Sequence, residues 1–198
     1  MPLLAPEPPR QAADAVHQTF QAFAANGSFR TPALRRATGP LALTEPHQVF
    51  TLGLADVIAG SGLAAAKPAG WRYLVKDGEK VLAAAETAMG PTAGEHVFSS
   101  FNESRFVAAT AEAIGTARAL PEVAKGSFEL RYLQVPGLYV SALWLHNAGG
   151  GGDLLVPLAP SPLDTAAGVP VPAARLIEEL ASKAKTASAV GPADRSGG

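Results

Sequence analysis

Apolar residues recur along this chain in two rhythms, one of period near 3.6 and one of period 2, and the two alternate in blocks. Ala13, Val16, Phe20, Phe23 and Ala24 fall on one stripe at helical spacing, and Asn26-Gly27 supplies a stop, so a helix is predicted from about Pro9 to Ala25. Phe106, Ala109, Ala113, Ile114, Ala117 and Leu120 keep the same period until Pro121. Ser100 and Glu103 stand ahead of them at capping-box spacing, which places that helix start at Ser100. A third stripe, Ala173, Leu176, Ile177, Leu180, Ala181 and Ala184, begins after Pro172. There Glu178 and Glu179 precede Lys183 and Lys185, the order that the helix dipole favours.

The alternating blocks read as strands. Val49 to Leu54 forms a short apolar run. Trp71, Tyr73 and Val75 alternate with Arg72, Leu74 and Lys76, and Asp77-Gly78 then predicts a tight type I′ hairpin. That turn sets Lys76 opposite Glu79, Leu74 opposite Val81 and Tyr73 opposite Leu82. From Ser127 to Leu158 the pattern is a meander of three strands. Its middle strand, Leu138 to His146, is apolar on both faces, and Pro157 assigns the last strand to an edge. Residues 28–46 carry Pro32, Pro40 and Pro46 and read as irregular chain. Between Ala55 and Ala66 a short helix competes with the breaking effect of Gly60 and Gly62.

Together these blocks predict an α+β fold: an antiparallel sheet of about five strands with two or three helices packed on one face, in two layers. Residues 1–186 make one domain, with 1–8 flexible, 187–198 a disordered tail, and no internal repeat. A two-layer fold leaves one apolar face of the Leu138 to His146 strand uncovered. The expected partner is therefore another protein or a second copy, in a homodimer across that face.

Composition narrows the function classes. The chain has 198 residues, 47% of them hydrophobic and 17% charged, with a formal net charge of −1. It contains no Cys, which excludes disulfide scaffolds, thiolate chemistry and Cys-dependent zinc sites. Lys and Arg are scattered, the one adjacent pair being Arg35-Arg36, so no nucleic acid is expected as partner. No apolar run approaches the roughly 20 residues of a membrane span, and the first residues lack a secretory pattern. A cytoplasmic location with no membrane partner follows as the expectation.

Candidate chemistry is sparse. Gly60-Ser61-Gly62-Leu63-Ala64-Ala65 has G-x-G-x-x-A spacing, but Pro68 cuts the helix that a dinucleotide pyrophosphate needs, and no cofactor or metal is assigned. His96, Asn102, Glu103 and Arg105 gather where the second helix begins, and His146 ends the central strand beside Asn147 and Asp153. Ser141 lies five residues before His146 and so on the opposite strand face, which forbids a nucleophile–base pair. Trp71, Tyr73, Tyr132, Tyr139 and Trp144 are the large amphipathic aromatics, expected in the core and able to anchor a contact if exposed, Trp71 and Trp144 first among them. The leading expectation is a non-catalytic interaction or accessory protein that self-associates. The alternative is a small-molecule-binding protein or enzyme whose pocket lies between the helix near Ser100 and the meander, holding several of these residues.

Overall fold

The computed structural model describes residues 3–189. Its elements run α1 (Arg10–Asn26), α2 (Pro32–Arg35), β1 (Leu41–Thr51), α3 (Leu54–Ile58), β2 (Lys67–Asp77), β3 (Lys80–Met89), β4 (His96–Asn102), α4 (Arg105–Ala119), α5 (Pro121–Lys125), β5 (Phe128–Val135), β6 (Val140–Asn147), β7 (Leu154–Pro157), β8 (Val171–Pro172) and α6 (Ala173–Ala189). The fold is α+β, as the blocks predict, but the sheet is larger and mixed. Eight strands lie in the order β4-β3-β2-β1-β5-β6-β7-β8, and the β1–β5 pair at the centre is parallel. Five all-antiparallel strands are therefore too few, and the two-layer arrangement is also corrected.

Register assigns the faces. Gln48 pairs with Trp71 on one side and Arg131 on the other, and Arg131 pairs with Trp144, so these four share a face. That face carries α1 over Trp71, Tyr73, Val75 and Ala85, and α6 with α3 over Leu133, Val135, Ala142 and Trp144. The other face carries α4 and α5 over Leu74, Ala84, Tyr132, Leu143 and Leu145. Both faces of β6 are buried by helices of the same chain. The uncovered face on which association across that strand was expected is absent, because α6 and α3 close one side while α4 closes the other.

The halves repeat one order of elements. A long helix, a short helix, a strand, a helical turn and three further strands occur from α1 to β4 and again from α4 to β8. Sequence periodicity does not reveal this repeat, since the two halves share an order of elements and not a residue pattern.

Local signals were decisive where contacts are local. Gly27 ends α1 at φ 60°, and the Gly27 and Ser28 amides donate to the Ala24 and Phe23 carbonyls. Leu176, Leu180 and Ala184 bury the apolar stripe of α6. In the hairpin Gly78 takes the expected positive φ of 56°, but Asp77 pairs with Lys80 and Lys76 with Val81. The turn thus centres on Gly78-Glu79, and a bulge past Val75 brings Leu74 opposite Ala84 and Tyr73 opposite Ala85. Asp77 is held in the strand because its carboxylate accepts the Thr38 and Gly39 amides, each at 3.3 Å.

Other expectations yield to distant pairing. Ser100 lies in β4 opposite Glu86, so no capping box forms; Ser104 precedes the helix, and Glu103 accepts the Ala33 amide at 2.9 Å. Residues 41–46 belong to β1, whose Pro46 is accommodated where Glu45 takes φ 52° and the pairing with β2 shifts. Pro157 lies beyond the pairing of β7 with β8, which ends at Leu155, so β7 is an edge only at that end. Residues 1–8 are not all loose: Leu3 is in the core, the Leu4 amide donates to Phe128 and the Leu130 amide to Leu4, both at 2.8 Å. The expected tail begins too early, since α6 runs to Ala189; the rest of that expectation lies outside the described residues. Among the described residues no helix is long and apolar enough to cross a membrane.

Candidate functional site

The residues singled out from the sequence do not converge. His96 and Asn102 lie on β4 and His146 on β6, five inter-strand steps apart, or roughly 24 Å at about 4.8 Å per step. Asn102 bonds to Glu86 on the α4 face, whereas His146 and Trp144 lie on the α6 face. No pocket between the start of α4 and the meander unites them. Glu103 and Arg105 are exposed; Trp71, Tyr73, Tyr132 and Trp144 are core residues rather than surface anchors, and of the five aromatics Tyr139 alone stays exposed, at 85%.

Each neighbourhood holds its own polar cluster. Beneath α4, Arg72 is 2% exposed and its guanidinium lies over the Tyr132 ring, 4.4 Å from the centroid. Its Nε stands 3.4 Å from Glu86, whose carboxylate also accepts the Asn102 side-chain amide at 2.9 Å. Arg72 pairs across the sheet with the fully buried His47, whose Nδ1 donates to the Glu45 carbonyl at 2.6 Å. Burial and then the Arg72 charge push the His47 pKa down to about 3, against the opposing pull of that carbonyl. The imidazole is neutral at pH 7, with Nε2 an unpartnered acceptor; Arg72 Nη2 and Asn102 Oδ1 are likewise unpartnered. Sequence reasoning missed this cluster, since only the β1–β2–β5 pairing brings its members together.

On the opposite face Arg131 lies between two aromatic rings, 5.1 Å from the Phe50 centroid and 4.9 Å from that of Trp144. Its Nε donates to Glu129 at 2.9 Å. Asp153 gathers three donors: the Trp144 indole at 2.7 Å, the Asn147 amide at 2.8 Å and His146 Nδ1 at 3.1 Å. Burial would raise the Asp153 pKa, but these donors together hold it below its ordinary value. A His–Asp pair is half of a proton-transfer device, yet Ser141 stays on the α4 face as its offset predicts. His96 is buried with Nδ1 unpartnered, and burial lowers its pKa. Among the described residues no three His, Cys, Asp or Glu stand close enough to hold a metal ion.

The two sheet edges differ. β8 spans two residues and leads directly into α6, whereas β4 spans seven, His-Val-Phe-Ser-Ser-Phe-Asn, with no Lys, Asp, Glu or Pro. Val97 on it is 42% exposed, and Met89 on β3 is 39% exposed. No family model, no curated protein and no solved structure matches this chain.

Proposed function

We propose that this protein is a non-catalytic interaction protein that self-associates by strand addition at the β4 edge. The observation that carries the reading is the edge itself. Exposed edges are ordinarily blunted by charge, proline or brevity, and β4 has none of these. One bulge at Ser99, between the pairs Glu86–Ser100 and Thr87–Phe98, is its only irregularity. Near Asn102 the Thr31 hydroxyl already donates to the Phe101 carbonyl, so the stretch left for a partner is His96 to Ser100. A second copy is the favoured occupant because an uncharged strand paired antiparallel with itself meets no like-charge repulsion.

The test is mass by light scattering across the micromolar range, for the parent and for Val97→Lys. A parent mass that rises toward twice the chain mass, and a variant that stays at one, support the reading. A parent that holds a single-chain mass throughout overturns it.

A further inference from the structure

The chain contains three asparagines, Asn26, Asn102 and Asn147, and only the first is followed by glycine. Asn102 is followed by Glu103, and its side-chain amide is held by Glu86 at 2.9 Å. Asn147 is followed by Ala148, and its side-chain oxygen accepts the Gly149 amide at 3.0 Å. Asn26 is different. It is the last residue of α1, it is exposed, and its side chain makes no hydrogen bond among the described residues.

The peptide that joins Asn26 to Gly27 is poorly protected. Gly27 is exposed, and a Cβ placed on it would meet nothing within 4 Å, so base and water reach its nitrogen. The bond from that nitrogen to the Ala24 carbonyl is long, 3.4 Å, and it lies at a helix end, where turns open most easily. The Ala148 amide, by contrast, donates to Ser127 at 2.9 Å. The Ser28 hydroxyl donates at 3.4 Å to the Asn26 carbonyl, the other end of the exposed peptide. That contact draws electron density from the Gly27 nitrogen and makes its proton easier to lose.

We propose that Asn26 is a site of spontaneous deamidation, with water as the only co-reactant. From the opened last turn of α1, the Gly27 amide nitrogen gives up its proton and bonds to Asn26 Cγ. The Cγ–Nδ2 bond breaks, and Nδ2 leaves as ammonia with that proton, so a cyclic imide closes between the two residues. Water then opens the ring. Cleavage at Cγ gives aspartate, whereas cleavage at the backbone carbonyl gives isoaspartate, whose main chain runs through Cγ and is one methylene longer. In sum one water is consumed and one ammonia released. Either product is a carboxylate at the C-terminal end of α1, where the helix dipole is already negative. The altered turn lies three residues beyond Phe23, whose ring packs on Phe98 and Phe101 of β4. The chemistry does not depend on self-association at β4.

Incubation of the full chain in mildly alkaline buffer tests it, read by intact mass, ion-exchange chromatography and peptide mapping, with Asn26→Gln beside the parent. The parent is expected to gain about one dalton and one negative charge per chain, mapped to Asn26, with isoaspartate among the products. Asn26 should convert at least about tenfold faster than Asn102 or Asn147. Asn26→Gln, whose longer side chain would have to close a larger ring, should keep its mass over the same time. A folded parent that stays unchanged while the same chain in urea converts at Asn26 overturns the proposal, because the fold then protects the site. Equal rates at the three asparagines, or an equal mass gain by Asn26→Gln, overturn it as well.

Discussion

The guanidinium of Arg72 lies over the ring of Tyr132, joining β2 to β5 across the width of β1. Glu86 is its only ion-pair partner among the described residues. Removing one member of such a pair leaves the other charge buried, which costs more than losing the pair is worth. Glu86→Ala is expected to destabilise the fold by about 3 kcal/mol, the lower end of the range for a broken buried pair because Glu86 keeps contact with water. Arg72→Met, which retains a long apolar stem over Tyr132, is expected to cost less than Glu86→Ala. Urea denaturation of the two variants checks the order, and an equal or reversed ranking removes the ion pair from the account.

Acid should weaken the fold well above the range where carboxylates titrate. His47 has a folded pKa near 3 and an unfolded value near 6.5, so between those values the unfolded chain binds a proton that the native state refuses. Stability is therefore flat above about pH 6.5 and declines as pH falls toward 3, by on the order of a few kcal/mol. Asp153 and Glu179, both with lowered pKa values, add their own losses in the acid part of this window and below it, as pH falls past their ordinary 3.8 and 4.5. In His47→Leu the slope between pH 4.5 and 6.5 should shrink to the part supplied by His96, whose pKa burial also lowers, while the loss below remains. Denaturation midpoints across this pH range provide the measurement.

Two glycines should respond differently to substitution. Gly78 needs its positive φ but has open space around it, so Gly78→Val costs about 1–2 kcal/mol of backbone strain. At Gly70 a Cβ would lie 2.0 Å from the Thr87 carbonyl oxygen, which no side-chain rotation relieves. Gly70→Ala must push β2 and β3 apart and is expected to lower the melting temperature further than Gly78→Val. Calorimetry on both variants decides the matter.

Deleting residues 1–4 should be costly. The deletion exposes Leu3's share of the core and removes two ladder hydrogen bonds to β5. Burial of a leucine side chain alone is worth about 1.5–3 kcal/mol. An unchanged melting temperature in the shortened chain would show that this segment contributes nothing to the fold.

What the sequence made legible follows the distance over which each contact acts. α1, α6 and the β5–β6–β7 meander depend on helical period and on short connections, so Val16, Leu176 and Tyr132 announce their own environment. β4 does not: Ser100 and Glu103 carry a capping spacing, but Ser100 pairs with Glu86 and that pairing prevails. The kink at Glu45-Pro46 concealed the first half of β1 behind a proline. His146 could be placed near Asp153 because a single loop separates them. Arg72, His47 and Tyr132 sit on three strands that only the parallel pairing at the centre assembles, and no residue pattern encodes that contact.

The parallel β1–β5 ladder, four residue pairs from Gln48–Arg131 to Thr51–Gln134, also gives the sheet a spine. Of the long helices, α4 packs on both β3 and β6 and so straddles this spine on one face. On the other face α1 packs on β3 and β4 and α6 on β7 and β8, but α3 from the first half docks on α6, so the spine is crossed there as well. Mechanically the sheet is clasped on both sides: α4 bridges the halves on one face, and on the other α3 reaches α6 while the Phe50 ring packs on Trp144. Amides of Phe50 and Gln134 along the spine should then exchange with solvent no faster than amides bonded within the β2–β3 pair. The stiffness of the whole sheet, rather than of each half, then sets how the protein responds to load.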